Sequence, residues 1–336
     1  GAELPESVGG GGGDAADSLI ICEELHESGT PGGGVFASLF TCGIAVPHMA
    51  ASGDERLIEK FVRPTLAGEL IGSLAITEPG RRVRRRPPAD HGHPSRRRIR
   101  GQRRENLHHL RGAGRLRRHR GANRRPPELP GAAGVSLLVV EKGTPGFDVT
   151  RRLDKMGWRS SDTAELSYTE ARVPVANLVG GENTGFAQIA QAFVSERIGL
   201  AAQAYSSAQR CLDLTVQWCR DRETFGRPLI SRQAVQNTLA EMARRIDVAR
   251  VYSRSVVERQ MAGETDLIAA VCFAKNTAVE AGEWVAHQAV QLFGGMGYMT
   301  ECEVERQYRD MRILGIGGGT TEILTSLAAK ALGYQA

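Results

Sequence analysis

A glutamate followed at once by an arginine is the first feature of this chain that could act on a substrate. Glu196 and Arg197 stand in the segment 195–202, which reads SERIGLAA. A carboxylate in an apolar pocket can have its pKa raised toward neutrality, which suits it to take a proton from a weakly acidic carbon. A Glu–Arg pair on a helix is also typical of a solvated surface, so the pair alone does not decide between a base and an ion pair.

A second run of residues, near the C-terminus, indicates which chemistry is involved. Residues 308–323 read YRDMRILGIGGGTTEI. This run resembles the signature of the acyl-CoA dehydrogenases, in which an Arg-Asp pair is followed by Gly-Thr and then by Glu or Gln before Ile. Many members of that family carry the catalytic glutamate directly before the Gly-Thr. That position is Gly318 in this chain, and glycine has no side chain that could accept a proton.

The resemblance also indicates where the base would lie instead. One subgroup of the family, which includes the isovaleryl and long-chain enzymes, places the base on a helix of the C-terminal bundle, directly before an Arg. Glu196 and Arg197 match that position. The resemblance implies that Glu196 takes the proton α to the thioester and that Arg197 helps to position the thioester. It also implies that the backbone N–H of Gly318 stabilises the thioester oxygen, and that the β-hydrogen leaves as hydride to flavin N5.

Three further segments resemble the parts of the family that bind FAD. Residues 74–80 (LAITEPG) look like the strand that meets the flavin ring. Residues 222–226 (RETFG) are similar to the loop that reaches the FAD of a neighbouring subunit, and residues 291–298 (QLFGGMGY) to its partner segment. Each segment is weak evidence alone, but their order and spacing are specific. The residues implied in FAD binding are Ile76, Thr77, Arg222, Thr224, Phe225, Gln291, Gly294, Gly295, Thr320 and Glu322.

The residue types in these segments suit a dinucleotide for physical reasons. The donor fork of Arg222 matches the paired oxygens of a pyrophosphate. Gly294 and Gly295 would let the backbone approach a cofactor closely. A Gly-Gly-x-Gly run is by itself most often a turn, so this segment supports FAD only together with the others.

The composition is typical of a soluble globular protein, with 336 residues, 41% of them hydrophobic and 24% charged. No stretch approaches the roughly 18 apolar residues of a membrane span, and no signal peptide is visible. The six cysteines show neither a CxxC pair nor ligand spacing to histidines, which favours reduced thiols in a cytosolic protein.

Hydrophobic periodicity and the resemblance together predict an α+β fold. We expect a partial N-terminal helical domain over 1–70, a middle β domain over 71–178 and a C-terminal four-helix bundle over 179–336. The family normally has further helices upstream, so the chain is expected to begin inside the first domain. The individual predictions are helices over Asp14–Glu27, Gln233–Met261, Asp266–Phe293 and Thr320–Leu332, and strands over Val135–Val140 and Ala164–Tyr168.

An arginine-rich block over 81–130 does not fit this organisation. It holds 18 arginines, three acidic residues and five of the eight histidines. Without it the chain has 25 basic and 35 acidic residues, so the formal charge changes from +5 to −10. One interpretation is an arm that binds nucleic acid, because arginine blocks bind phosphate backbones.

We favour a shift of reading frame as the explanation of this block. Read from the second base of plausible GC-rich codons, residues 81–85 can yield Ala-Gly-Ser-Asp-Val, which completes the flavin-strand motif. In the same frame 96–106 can yield a hairpin sequence, and 107–111 can yield Phe-Ile-Thr-Ser-Gly, the family's second flavin-contact strand. A segment too polar to pack then replaces several strands. We therefore expect the chain as it stands to bind FAD poorly or not at all.

The resemblance implies FAD-dependent α,β-dehydrogenation of an acyl-CoA, with electrons passing to an electron-transferring flavoprotein, in a homodimer or homotetramer. Two alternatives stay open. An acyl-CoA oxidase would differ by returning the electrons to oxygen. A non-catalytic remnant with a basic arm for nucleic acid would be recognised by salt-dependent binding that is lost when Arg81–Arg125 is deleted.

Overall fold

The computed structural model describes residues 1–35, 44–76, 98–103, 109–110 and 135–334. For 98–103 and 109–110 only the backbone is described. Among the helices in these parts of the chain, none is long and apolar enough to cross a bilayer.

Helix α1 (Ala15–Glu27) begins at a complete capping box. The Asp14 carboxylate accepts hydrogen bonds from the backbone N–H groups of Ala16 and Asp17, at 2.8 and 3.2 Å. The Asp17 carboxylate accepts one in return from the Asp14 N–H at 3.0 Å. These bonds satisfy backbone donors that the first helical turn leaves free, so they fix where α1 starts.

The remaining N-terminal helices are short and share one core with strand residues 137–140 and with the start of the long helix at 185–221. Helix α2 is Val46–Ala51, α3 is Glu55–Leu57, and α4 is Arg63–Leu66, with a π-helical turn at Ile58–Val62 between the last two. The buried side chains of this core include Val46, Met49, Leu57, Phe61, Val62, Leu137, Val139 and Ile189.

Two small antiparallel sheets follow. One joins, in this order, the strands at 98–103, 162–168 and 147–153, and the other joins those at 109–110, 137–140 and 178–179. Alternate residues of the strand at 162–168 are buried, as in a sheet with one face on the core: Ala164 and Leu166 have no exposed surface. The strands are β1 (Arg98–Arg103), β2 (His109–Leu110), β3 (Leu137–Val140), β4 (Phe147–Leu153), β5 (Asp162–Tyr168) and β6 (Leu178–Val179).

The arginine-rich block contributes two of these strands. β1 pairs with β5 and β2 pairs with β3. The rest of the block lies outside the described residues, so the prediction that it does not pack stays a prediction. The expected flavin-contact strand at 74–80 is wrong for 74–76, which form no strand because no described strand pairs with them. Residues 77–80 lie outside the described part of the chain.

Three long helices form the C-terminal bundle together with two shorter ones. Helix α5 is Gly185–Asp221, α6 is Gln233–Met261 and α7 is Ile268–Phe293; α8 is Glu303–Met311 and α9 is Thr321–Ala331. A two-stranded hairpin, β7 (Glu223–Thr224) and β8 (Arg227–Pro228), connects α5 to α6.

Small residues let α5 and α7 approach closely at the centre of this bundle. Ala201, Ala204, Ala278 and Ala286 are fully buried there. A Cβ at Gly282 would lie 2.7 Å from the sulfur of Met311 and 3.1 Å from the carbonyl oxygen of Ala204. The packing of these helices therefore depends on residues without large side chains.

The structure confirms the predicted helices, whose observed ends differ from the predicted ones by two residues at most. The predicted strands are also present, at Leu137–Val140 and Asp162–Tyr168. The five cysteines in the described residues are free thiols, as expected; Cys42 lies outside them.

Candidate active site

Glu196 lies in the N-terminal half of α5, beside an apolar cavity of about 110 Å³. The cavity is bounded by α5, by α1 and by the first residues of the chain. Among its lining residues are Leu19 and Cys22 of α1 and Ile198 and Leu200 of α5. A carboxylate with this lining is the arrangement that the sequence predicts for a base that acts on an acyl group.

Burial raises the pKa of Glu196 to about 7, while the positive charges of Arg197 and Lys275 act in the opposite direction. An apolar surrounding disfavours the charged carboxylate, and this effect is larger than the attraction of the two cations. A group with a pKa near neutrality can take up and release a proton under ordinary conditions. The alternative of a solvated surface ion pair does not hold, since Arg197 is buried and only 8% exposed.

The turn at Gly318 and Gly319 faces the Glu196 carboxylate. Both glycines have positive φ angles, +65° and +104°, a conformation that residues with a Cβ rarely adopt. Nε of Arg197 donates a hydrogen bond to the carbonyl oxygen of Gly318 at 3.0 Å. Nζ of Lys275 donates one to the carbonyl oxygen of Gly319 at 2.9 Å. Two cationic side chains therefore hold two consecutive peptide groups of this turn.

Positions 196 and 318 face the same volume. A Cβ placed on Gly318 would lie 3.7 Å from Oε1 of Glu196 and 2.6 Å from Cδ1 of Leu200. A carboxylate carried by residue 318 would therefore reach the region that the Glu196 carboxylate occupies. The structure thus brings Gly318 together with Glu196 and Arg197, although it lies 121 residues beyond Arg197 in the chain.

The hairpin β7–β8 carries three of the predicted cofactor residues away from this cluster. Arg222 is exposed, and Phe225, at φ +51°, is 98% exposed. The carbonyl oxygen of Thr224 accepts a hydrogen bond from Arg232 at 2.6 Å, and the Arg232 guanidinium lies 5.6 Å from the centre of the Phe225 ring. Arg232 thus holds the hairpin against the start of α6, while the exposed Phe225 at its tip can contact another molecule.

Gln291, Gly294 and Gly295 lie at the same end of the bundle as this hairpin. Nε1 of Trp218, near the end of α5, donates to the carbonyl oxygen of Leu292 at 3.2 Å. Gln291 is exposed, and a Cβ on either glycine would have no heavy atom within 4 Å. The backbone there borders open space.

The two groups of residues are far apart within one chain. Twenty-six positions of helix and its cap separate Glu196 from Arg222, which corresponds to about 39 Å along a helix. One chain alone therefore cannot place the hairpin beside the Glu196 cluster.

Thr320 and Glu322 lie at the start of α9, next to the Gly318–Gly319 turn. The Thr320 hydroxyl caps the helix by accepting from the N–H of Ile323 at 3.4 Å. Glu322 is exposed, and its pKa is lowered by its own backbone N–H and by the Thr320 hydroxyl. Ile76 is 36% exposed, and Thr77 lies outside the described residues.

The described residues fit the phosphate and ring portions of FAD. The exposed guanidinium of Arg222 suits a pyrophosphate, the exposed Phe225 ring offers a surface for stacking, and the open backbone at Gly294 and Gly295 leaves room for a ligand. Because Thr77 and its neighbours are not described, this fit concerns the C-terminal part of the chain.

Lys275 belongs to this cluster, although none of the sequence motifs predicts it. It has no exposed surface, although it is a lysine. A lone lysine between apolar residues of a helix, in the stretch VCFAKNTAV at 271–279, is a signal that could have identified it.

Comparisons with known proteins agree on one family. Residues 183–333 match the family model of the acyl-CoA dehydrogenase C-terminal domain, and residues 1–69 match that of the N-terminal domain. The long-chain specific acyl-CoA dehydrogenase of rat mitochondria (Rattus norvegicus) is 33% identical over 346 residues, which cover 99% of this chain and 76% of the rat protein.

Solved structures share the fold over nearly the whole chain. A Mycobacterium smegmatis protein assigned to the acyl-CoA dehydrogenases is 69% identical, with a TM-score of 0.86, covering 100% of this chain and 87% of its own. A chain in a structure of the electron transferring flavoprotein of Acidaminococcus fermentans is 29% identical, with a TM-score of 0.81 and coverages of 98% and 85%.

Proposed function

The chain belongs to the acyl-CoA dehydrogenase family, FAD-dependent oxidoreductases that act on the CH–CH bond of an acyl-CoA, and we propose that Glu196 is its catalytic base. The observation that carries this proposal is the position of the Glu196 carboxylate. It lies beside an apolar cavity, and its Oε1 lies 3.7 Å from the position that a Cβ on Gly318 would occupy.

Glu196 would take the proton from the carbon α to the thioester. With a pKa of about 7, its carboxylate is ionised in a large fraction of molecules at neutral pH and is more basic than an exposed glutamate. The cavity beside it would hold the acyl chain and exclude water from the reacting carbon. Bound FAD would supply the hydride acceptor for the β-hydrogen.

The Gly318 turn would serve the thioester oxygen. Negative charge develops on that oxygen as the α-proton leaves, and a fixed N–H donor stabilises it. Gly318 retains a backbone N–H although it has no side chain. Arg197 would act mainly through this turn, since its Nε donates to the Gly318 carbonyl.

The FAD site would be completed by a second copy of the chain. Arg222 and Phe225 are too distant from Glu196 to act on the same cofactor within one chain, yet both are exposed. We propose a homodimer or homotetramer in which the hairpin of one subunit, with Gln291, Gly294 and Gly295, holds the FAD of its neighbour. Thr320 and Glu322, next to the Gly318–Gly319 turn of the subunit that binds this FAD, would contact its adenosine half. Ile76 and Thr77 would contact the flavin ring.

We propose an electron-transferring flavoprotein as the electron acceptor. The similarity to a chain in the Acidaminococcus fermentans flavoprotein structure supports this. A direct return of electrons to oxygen would make the chain an oxidase, and assays with and without added electron-transferring flavoprotein would distinguish the two.

The test is Glu196→Gln, assayed with a panel of acyl-CoA thioesters, with added electron-transferring flavoprotein and with FAD in an excess that compensates for the weak FAD binding expected of this chain. We expect turnover to fall by at least ~10²-fold, because the amide cannot take the proton, while the flavin content stays that of the wild type. Glu258→Gln, an exposed glutamate of α6, is the matched control and should leave turnover unchanged. Near-normal turnover of Glu196→Gln would contradict the assignment.

A further inference from the structure

We propose that Lys275 is a positioning residue for this reaction: its ammonium group fixes the turn that carries Gly318, and it places a positive charge at the turn that the Glu196 carboxylate faces. This inference rests on the proposed function of Glu196. It concerns a residue that none of the sequence motifs includes.

The burial of Lys275 is the first observation. A lysine ammonium is rarely removed from water, because the loss of hydration costs free energy unless the charge is paired or hydrogen-bonded. Lys275 has no exposed surface, although α7 has an outer face to which a lysine could extend. Its side chain instead reaches across to the loop before α9.

The contact of Lys275 is with a backbone carbonyl in the site. Nζ donates to the carbonyl oxygen of Gly319 at 2.9 Å, 44 residues further along the chain. The next residue, Asn276, donates from Nδ2 to the carbonyl oxygen of Thr321 at 3.1 Å. Together with the bond from Arg197 to Gly318, side chains of α5 and α7 hold three backbone carbonyl groups of this segment, those of residues 318, 319 and 321. Two glycines restrict the backbone of this turn very little, because they have no side chains. These hydrogen bonds therefore determine the orientation of the turn.

The charge of Lys275 acts on Glu196. Lys275 is one of two cations that lower the pKa of Glu196 against the effect of burial. Burial lowers the pKa of Lys275 itself to about 8, which still leaves it mostly protonated near pH 7. The charged or titratable groups that act on Lys275 or feel its charge are Glu196 and Arg197 on α5, Cys272 and Glu283 on α7, and Glu322 on α9.

The experiment compares Lys275→Met, which removes both the donor and the charge, with Lys275→Gln, which keeps a donor and removes the charge. Lys330→Met, at an exposed lysine of α9, is the control. The titration of the Glu196 carboxyl is followed by NMR with carbon-13-labelled glutamate, and the Glu196→Gln spectrum identifies its signal. Hydrogen exchange of the peptide that contains residues 316–322 is followed by mass spectrometry.

We expect both Lys275 variants to raise the titration midpoint of Glu196 by about one pH unit, because an opposing charge has been removed. Only Lys275→Met should strongly accelerate exchange in the 316–322 peptide, and Lys330→Met should match the wild type in both measurements. The pH profile of turnover should move upward with the midpoint.

An unchanged midpoint in both variants, or unchanged exchange in Lys275→Met, would overturn the proposal. If Lys275→Met does not fold, Lys275→Gln decides it through the midpoint. Neither measurement needs bound FAD or turnover. A failure of the dehydrogenase proposal, seen as absent wild-type activity or an active Glu196→Gln, is therefore distinguishable from a failure of this one.

Discussion

At the scale of single residues, the site depends on the relation between Glu196 and Gly318. The Glu196 carboxylate lies 3.7 Å from the Cβ position of residue 318, so a side chain there would compete for the same space. The family resemblance paired these two positions in the sequence. The structure supplies the physical reason, which is that both positions face one volume, and Glu196 also lines the apolar cavity.

The raised pKa of Glu196 predicts a pH dependence of stability that does not require the cofactor. The pKa is about 4.5 in a solvated glutamate and about 7 in the folded chain. Between these values the folded state keeps a proton that the unfolded state has released, so wild-type stability falls as pH rises through this window. Glu196→Gln stays neutral, so its unfolding free energy relative to the wild type should rise from pH 4.5 to 7 and level off above.

Urea unfolding at several pH values measures this difference. Glu258→Gln, at an exposed position, should show no such trend. A difference between Glu196→Gln and the wild type that does not change with pH would contradict the raised pKa.

At the scale of elements, a buried carboxylate ties α1 to the bundle. Glu23 is 5% exposed and accepts hydrogen bonds from the Tyr205 hydroxyl on α5 and from Arg254 on α6, the latter at 2.6 and 3.1 Å. The burial of Tyr205 and its bond to Glu23 raise the pKa of that tyrosine. The wall of the cavity that α1 provides is therefore held in place by this contact.

Removing this carboxylate should loosen the N-terminal helix. We expect Glu23→Ala to lower the free energy of unfolding by about 2 kcal/mol, since it leaves the buried Tyr205 hydroxyl without its acceptor. Arg254 is half exposed and can be solvated, which limits the loss. Glu24→Ala, at the exposed neighbouring position, should change it by less than ~0.5 kcal/mol. Equal effects in urea unfolding would show that Glu23 makes no special contribution.

The sequence predicts elements well here and their contacts poorly. Helical periodicity was sufficient for Gln233–Met261, whose two ends are observed where they were predicted. The bond between the backbone N–H of Trp158 and the carboxylate of Asp310 spans 152 residues, and that of Lys275 to Gly319 spans 44. No local pattern records such distant partners. Periodicity was therefore sufficient for the elements, whereas the part of Lys275 in the site emerged only from their packing.

At the scale of the whole molecule, α5 separates two functions. Its N-terminal half carries Glu196, and its C-terminal end leads into the hairpin with Arg222 and Phe225, about 39 Å away. Such a separation suits an assembly in which each hairpin serves a neighbouring subunit. The expectation that the chain as it stands retains little FAD concerns residues 81–130, most of which lie outside the described structure, and it stays a prediction.

The most direct measurement of the central claim follows the proton that Glu196 is proposed to remove. Acyl-CoA thioesters carrying deuterium at the α-carbon are incubated with the wild type or Glu196→Gln and excess FAD, and loss of the label is followed by mass spectrometry. We expect the wild type to remove the label from at least one thioester, and Glu196→Gln to do so at least ~10²-fold more slowly. Loss of the label at the wild-type rate in Glu196→Gln would show that the base lies elsewhere.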